Sequence, residues 1–217
     1  MIGSRDQVLG RIRTALGRKP GQPPPALPPP RLDLRNLTTL DRVELFVQQF
    51  AKLNGKPVRV RGRAEAAAVI RELLNGRTAV ASNAPFLREC GITGLAGVRS
   101  EFQSAGELRS ACATSDVGIT SADYALADTG SLVMISSPKE ARLVSLLPPT
   151  HVAVVPAGNI LTGLDQLLTE TPMPAEQTSS MVLITGPSRT ADIEQILVRG
   201  VHGPGEIHAV IVEEGEQ

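Results

Sequence analysis

The feature that most constrains the fold is a series of short apolar runs, separated by segments with helical periodicity. The runs are PVRVRG (57–62), RTAVAS (77–82), DVGIT (116–120), GSLVMIS (130–136), HVAVVP (151–156), SMVLITG (180–186) and EIHAVIV (206–212). The last three show little polar alternation, which is typical of strands covered on both faces. Alternation with helices predicts an α/β fold of three layers, α/β/α, built on a mostly parallel sheet.

Helices are predicted at 38–53, at 64–75, in a short segment that begins at Ser104, at 158–169 and at about 190–198. In the first of these, apolar residues recur on one side of the helix. The stretch between 116 and 136 has too little room for a helix. It is predicted to form a hairpin or loop around the turn at 127–130.

Residues 1–36 are predicted to form an arm, and residues 37–217 the α/β domain. The arm begins with a short helix in which Ser4 and Gln7 form a capping-box pattern. The segment PGQPPPALPPP (20–30) has seven prolines in eleven positions. Such a segment favours the polyproline II conformation and acts as a semi-rigid spacer.

Charge is unevenly distributed along a chain whose net charge is zero. Residues 1–63 hold 13 Lys/Arg against 4 Asp/Glu, whereas the remaining residues hold 9 against 18. A basic arm on an acidic body could dock on an acidic partner, on a membrane surface or on a second copy, which would make an arm-mediated homodimer. A solvated basic surface explains the same pattern.

Composition and motifs argue against several classes of function. The chain has no Trp, one Tyr and four Phe, so base stacking on single-stranded nucleic acid is not expected. Two cysteines cannot hold a four-thiolate iron–sulfur cluster, and neither a P-loop nor GxGxxG is present. The N-terminus lacks an apolar signal core, and the apolar runs are too short to span a membrane. We therefore expect a cytoplasmic protein without a membrane span.

The segment ITGPSRTADIE (184–194) carries the sharpest chemical signal in the chain. We predict that a strand ends here and that a helix begins, with Thr190 as its N-cap. The amides at the start of a helix favour an anion, and beside Gly186 the residues Ser188 and Arg189 add a hydroxyl and a cation. This pattern predicts an anion-binding site. The alternative is structural, because two acidic residues in the predicted first turn would satisfy the helix dipole and pair with Arg189.

A second polar group consists of Thr129, Gly130 and Ser131, together with Arg142. The hydroxyls and the amides around the glycine can bind an anion, and Arg142 can clamp a carboxylate or phosphate through its planar guanidinium. The structural alternative is a hairpin turn and a surface arginine.

His202 lies in the turn HGPG (202–205), where two glycines permit a tight turn or a close backbone approach. A histidine can donate or accept a proton near neutral pH, which makes His202 the catalytic candidate. The alternative is a loop histidine that bonds a backbone carbonyl. No HExxH or similar spacing brings the histidines together, so no metal site is predicted.

Four segments together resemble the LUD domain family: ADTGSLVM (127–134), LLPPTHVAVVP (146–156), ITGPSRTADIE (184–194) and GVHGPGEIHAVIV (200–212). The resemblance extends from about residue 37 to the C-terminus, and its GPSRTADIE and VHGP segments are the most specific. It implies a three-layer α/β/α fold similar to the sugar-phosphate isomerase and CoA-transferase group.

The resemblance also implies membership of a three-protein system that oxidises L-lactate to pyruvate, in which the other two proteins carry iron–sulfur clusters. The chain is then expected to be an accessory subunit that holds no cofactor and that binds, positions or assembles its iron–sulfur partners. If it binds lactate, Arg142 or Arg189 would hold the carboxylate and His202 would take the hydroxyl proton.

Two other functions remain open from the sequence. One is an independent enzyme or binding protein for a sugar phosphate or an acyl-CoA, suggested by the implied fold, although fold alone is weak support for a function. The other is an assembly factor without a ligand site, whose basic arm and proline spacer grip a partner.

Overall fold

The computed structural model describes residues 4–19, 21–23, 37–139, 141–191, 197–200 and 202–213. These residues belong to two units, one within residues 1–33 and the other within residues 34–217. In the first unit, helix α1 (Ser4–Ala15) leaves Val8 and Ile12 about half exposed, at 55% and 49%. Most of the predicted proline spacer lies outside the described residues.

The second unit alternates helices and strands. It runs through α2 (Thr39–Lys52), β1 (Lys56–Val60), α3 (Arg63–Leu74), β2 (Ala79–Ala81), α4 (Pro85–Glu89), β3 (Val98–Arg99), α5 (Ala105–Thr114), β4 (Val117–Ser121), β5 (Tyr124–Leu126), β6 (Ser131–Ile135) and α6 (Arg142–Leu146). It continues with β7 (Thr150–Pro156), β8 (Ile160–Leu161), α7 (Leu164–Glu170), α8 (Pro174–Gln177), β9 (Met181–Ile184), β10 (Arg189–Ala191), β11 (Leu197–Arg199) and β12 (Glu206–Val212).

Six of these strands form the main sheet, which is parallel throughout. Their spatial order is β1-β12-β7-β4-β2-β3. Two adjacent inner strands, β12 and β7, are each seven residues long and almost entirely buried. A parallel sheet with helices on both sides confirms the predicted α/β class.

Side chains of the main sheet point alternately to two apolar layers, as the two-residue period of a strand requires. On one face, Val154 and Val210 pack with Ile70 of α3 and Leu87 of α4. On the other face, Val155 and Ile211 pack with Phe46 and Phe50 of α2. Burial of these fully covered side chains stabilises each layer by roughly 1.5–3 kcal/mol per residue before chain entropy is subtracted.

A second sheet of four strands covers part of the α2 face, in the order β8-β5-β6-β9. Leu132 and Met134 of β6 join the layer that contains α2. On the outer face of this sheet, Leu126 and Val133 pack against Leu167 of α7. The predicted hairpin around 127–130 is confirmed by the antiparallel pairing of β5 with β6.

Several predicted elements differ from the structure. The runs GSLVMIS and SMVLITG form β6 and β9, which pair antiparallel in the second sheet rather than joining the parallel one. The helix predicted at 158–169 is a 3₁₀ turn (Ala157–Asn159), then β8, then the shorter α7. Ile160 pairs with Ala125 of β5 and is fully buried. Strand pairing and burial of this side chain therefore stabilise residues 160–161 as a strand in place of the predicted helix. Periodicity alone does not tell which sheet a short run will join.

No helix among the described residues is long and apolar enough to cross a bilayer.

Candidate functional site

Two sequence motifs that lie far apart along the chain meet through three hydroxyl groups, here called the hydroxyl chain. The hydroxyls of Thr129 and Ser131 are 2.8 Å apart. The Ser131 hydroxyl is also 2.8 Å from that of Thr185, which follows β9 and lies 54 positions away. Ser131 is buried, whereas Thr129 and Thr185 are exposed. The fold therefore joins the predicted DTGS turn to the predicted GPSR segment.

Both motifs pack on the C-terminal turn of α2. Gly130 has a φ of 65°, and a Cβ placed there would lie 2.5 Å from the backbone nitrogen of Phe50. Gly186 has a φ of 87°, and its Cβ would lie 3.1 Å from the carbonyl oxygen of Leu53. Positive φ and this close approach both require glycine at these two positions.

Arg189 contacts the same helix end. Its Nη2 donates a hydrogen bond to the carbonyl oxygen of Leu53 at 2.7 Å, and the side chain is exposed. A cation at the C-terminus of a helix is favoured by the helix dipole. Arg189 therefore has a structural partner in the folded chain, and its binding of an anion remains a prediction.

The helix predicted from Thr190 is wrong for the described part of that segment. Residues 189–191 and 197–199 pair as an antiparallel hairpin of β10 with β11, so Thr190 lies in a strand and is not an N-cap. In the backbone register Thr190 stands opposite Val198. The backbone N–H of Ser188 donates to the carbonyl of Pro204, so it is not available to an anion. Residues 192–196 lie outside the described residues.

The hydroxyl chain and the segment after it lie towards the edge of the main sheet where its strands begin. Gly205 donates its N–H to the carbonyl of Pro149, which directly precedes β7, and Leu53 lies just before β1. The predicted anion-binding segment therefore does not lie where ligands of α/β sheets usually bind, outside the carboxyl ends of the strands. The strand before it, β9, belongs to the second sheet.

The remaining predicted residues are only partly assembled with this group. His202 is exposed in a bend, and the neighbouring Gly203 would place a Cβ 3.4 Å from Cβ of Ser188. Arg142 begins α6, and its Nη1 donates to the Ser180 hydroxyl at 3.3 Å. Ser180 precedes β9 while Thr185 follows it, so Arg142 and the hydroxyl chain lie at opposite ends of that strand. The structure does not place Arg142 in a site with Ser131 or His202.

A charged group that the sequence reading did not single out also lies where the main-sheet strands begin. Oε1 of Glu206 accepts hydrogen bonds from Nζ of Lys56 and from Nε2 of His208, both at 2.6 Å. The bond from Lys56 is the main cause that lowers the pKa of Glu206 to about 2, and the bond from His208 adds to it. Burial lowers the pKa of His208 despite the nearby carboxylate. A Lys–Glu pair and a neutral histidine follow from this arrangement.

His151 is fully buried on the α2 face. Its Nε2 lies 2.8 Å from the hydroxyl of Thr120, and that hydroxyl lies 3.9 Å from Sδ of Met134. Burial lowers the pKa of His151 to about 3. If Nε2 donates to Thr120 and Thr120 donates to the sulfur, every proton has an acceptor, and only the lone pair of Nδ1 is left without a partner. This neutral tautomer is the one that we assign.

The carboxyl edge of the main sheet holds a cleft of about 250 Å³. It opens beside the end of β2, between the start of α5 and the segment that leads into α6. The lining residues are Ala81, Ser82, Asn83, Phe102, Gln103, Ser104, Ala105, Leu108, Pro138, Lys139, Ala141 and Val144. After β2 the chain enters α4 on one face of the sheet, whereas after β4 it enters the second sheet on the other face. Adjacent strands that diverge in this way form the usual ligand crevice of α/β folds.

None of the cleft residues was predicted as a site residue, although Ser104 was recognised as the start of a helix. A weak signal was present, because Ser82 and Asn83 directly follow a buried strand. Lys139 gave no signal, since its position depends on how the segment after β6 folds back towards β2.

Among residues in the described ranges, no group of three or more His, Cys, Asp or Glu is placed to hold a metal ion. Cys90 and Cys112 do not form a disulfide and pack in different apolar clusters. Burial raises the pKa of the Cys112 thiol.

The parallel sheet with helices on both sides defines a three-layer α/β domain. The family model described as the LUD domain matches residues 43–212 of the chain. The chain belongs to the LUD domain family.

Curated relatives match part of the chain. It is 41% identical over 103 residues to lactate utilization protein C of Halalkalibacterium halodurans, a match that covers 46% of this chain and 45% of that protein. It is 38% identical over 110 residues to lactate utilization protein C of Macrococcus caseolyticus, again covering 46% and 45%. The matched region thus spans less than half the length of these relatives.

A solved structure is similar over a larger part of the chain. It is the crystal structure of a DUF162 family protein from Deinococcus radiodurans, with a TM-score of 0.63 and 17% sequence identity. The match covers 81% of this chain and 99% of that one. At this identity the likeness supports the fold.

Proposed function

We propose that the chain acts in lactate utilization, as an accessory subunit of an iron–sulfur system that oxidises L-lactate to pyruvate. The observation that carries this proposal is the LUD domain match over residues 43–212, together with relatives named lactate utilization protein C. Partner proteins with iron–sulfur clusters are part of the proposal.

The chemistry divides the work between the subunits. Oxidation of lactate to pyruvate releases a pair of electrons and a pair of protons, so the assembly needs a redox centre that accepts electrons. We assign electron transfer to iron–sulfur clusters of the partners and assign binding and positioning to this chain. We assign that work to the carboxyl-edge cleft and to the exposed hydroxyls of the hydroxyl chain, those of Thr129 and Thr185.

The size of the cleft bears on the alternative ligands. At about 250 Å³ it lies below the roughly 300–1,000 Å³ that pockets for drug-sized ligands occupy. An acyl-CoA is larger than such ligands and would remain mostly outside the cleft. This comparison favours a small metabolite over an acyl-CoA.

The test is L-lactate-dependent reduction of a dye, measured with the purified protein, with the purified iron–sulfur partners, and with all proteins combined. We expect reduction only in the combined sample, because the clusters and the accessory subunit are both needed. Dye reduction by this chain alone would overturn the proposal, as would full activity of the partners without it.

The same assay tests the residues predicted from sequence. If Arg189 or His202 acts on lactate, Arg189→Ala and His202→Ala will lower dye reduction while the protein stays folded. Unchanged activity in both variants would show that the hairpin segment is structural. Lys52→Met, at the exposed end of α2, is the matched control for loss of a surface cation.

A further inference from the structure

The walls of the carboxyl-edge cleft are tied together by hydrogen bonds that do not involve a ligand. Asn83 donates its backbone N–H to the carbonyl of Lys139 at 2.9 Å, which joins the end of β2 to the segment before α6. Its Oδ1 accepts from the backbone N–H of Glu101 at 2.9 Å, which joins the same residue to the approach to α5. The cleft is therefore formed before any ligand binds.

These bonds also determine what Asn83 presents to the cleft. Because Oδ1 accepts the N–H of Glu101, the side-chain amide has its NH₂ group left for other partners. Among the described residues that line the cleft, Lys139 is the one that carries a charge, an ammonium group. The described part of the lining thus offers donors and one positive charge.

The carboxylate of Glu107, which lies on α5 next to the lining residue Leu108, is already engaged. Oε2 of Glu107 accepts the backbone N–H of Gln103 at 2.9 Å, and Oε1 lies 3.6 Å from Nη2 of Arg99. Its charge is paired outside the lining, so it does not neutralise Lys139. A bound molecule with one negative charge would complement the cleft electrostatically.

The remaining wall is apolar. Phe102, Leu108 and Val144 line it and belong to the cluster beneath α5 and α6. A ligand that fits must combine an anionic end with a short apolar end. A free phosphate lacks the apolar part, and a nucleotide exceeds the volume.

We propose that this cleft binds a small aliphatic monocarboxylate, with the carboxylate held by Lys139 and the Asn83 NH₂ group and the alkyl end against Phe102 and Val144. Binding follows from the cleft alone. Only the choice of L-lactate as the first ligand rests on the proposed function.

The experiment titrates the purified full chain with L-lactate, acetate and inorganic phosphate. Binding is measured by isothermal titration calorimetry and by changes in NMR amide chemical shifts. We expect saturable binding of L-lactate and acetate, with shifts confined to residues around the cleft, and weaker binding of phosphate. Tighter binding of phosphate than of either carboxylate would overturn the class of ligand, and so would the absence of saturation.

Two variants locate the site. Lys139→Met removes the charge, and we expect about a tenfold loss of affinity, or about 1.4 kcal/mol. Asn83→Asp keeps the oxygen that accepts from Glu101 but replaces the NH₂ group with an anionic oxygen, so it should abolish carboxylate binding while the fold is retained. Lys52→Met is the control and should bind as the parent does. Wild-type affinity in both cleft variants would refute the assignment.

Failure here is separable from failure of the proposed function. The titration uses the chain alone, whereas dye reduction uses the mixture with its partners. If the chain binds L-lactate but supports no dye reduction, the cleft proposal stands and the accessory-subunit proposal is wrong. If the chain supports dye reduction but binds no carboxylate, the accessory-subunit proposal stands and the cleft proposal is wrong.

Discussion

A Cβ atom on Gly130 would lie 2.5 Å from the backbone nitrogen of Phe50. The DTGS turn therefore touches the backbone of α2 directly, without a side chain between them. This contact positions Ser131 within reach of Thr185 and is the basis of the hydroxyl chain.

Gly130→Ala should destabilise the protein by about 3 kcal/mol, because it adds a clash with helix backbone and strains a residue at positive φ. The measurement is the free energy of urea unfolding. Gly158→Ala is the control, since Gly158 has open space around its Cβ position and should change stability by less than about 0.5 kcal/mol. Equal stabilities of the two variants would contradict the close packing.

Gly118→Ala tests the contact between β4 and α6. A Cβ at Gly118 would lie 1.9 Å from the carbonyl oxygen of Val144, so α6 must move away. We expect the free energy of unfolding to fall by about 3 kcal/mol or more. We also expect the cleft to bind carboxylates less tightly, because Val144 lines it. Gly94→Ala, with open space around it, is the matched substitution. A parent-like stability and affinity in Gly118→Ala would rule out this packing.

Ser131→Ala tests the hydroxyl chain. This substitution removes the central hydroxyl of the hydroxyl chain. The free energy of unfolding should fall by about 1–2 kcal/mol, because the hydroxyls of Thr129 and Thr185 each lose a hydrogen-bond partner. Thr185→Val should lower the free energy of unfolding by less in the Ser131→Ala background than in the parent. In that background the hydrogen bond between residues 131 and 185 is already absent. Chemical unfolding of the single and double variants measures this coupling. Strictly additive losses would mean that the two hydroxyls do not interact.

Stability should fall as the pH drops below about 6.5. In the unfolded chain His151 titrates near an ordinary histidine pKa of about 6.5, whereas in the folded chain burial lowers its pKa to about 3. Between these values the unfolded state binds a proton that the folded state does not, so acid favours unfolding. The limiting slope is about 1.4 kcal/mol per pH unit for one such histidine, and the lowered pKa of His208 acts in the same direction.

Urea unfolding between about pH 7.5 and about pH 5.5 would measure this dependence. His151→Gln keeps a donor for Thr120 but does not titrate, so its stability should vary less with pH than that of the parent. A parent protein whose stability is flat over this range would contradict the buried, neutral state of His151.

The sequence predicted the α/β class well because buried parallel strands leave a clear pattern. EIHAVIV forms β12 with the predicted bounds, and the short stretch around the DTGS turn forms the expected hairpin. Sheet membership was not predictable for SMVLITG, since an apolar run looks the same in either sheet. The hairpin that contains Thr190 was missed because its residues have helical spacing, while its pairing is set by contacts with Gly200 and Pro204.

The site was harder to predict than the fold. Motif reading selected Ser131, Gly186 and Arg189, which the fold does bring to one helix end, but for reasons of packing that are visible in the structure. It did not select Asn83 or Lys139, because a cleft formed by two loops depends on tertiary contacts. The local signal, a polar pair that includes Asn83 directly after a buried strand, was weak, and Lys139 had none.

The pairing of β1 with β12 has a consequence for biosynthesis. Lys56 stands opposite His208, and β12 is the neighbour of β1 in the main sheet. During translation β1 has no strand to pair with until β12 has been made, and Lys56 in β1 and Glu206 in β12 are 150 positions apart. Such long-range pairing slows folding and leaves apolar surface exposed in the nascent chain. Shortening the chain within β12 would therefore leave β1 without a partner, and chaperones should engage the protein until β12 is released.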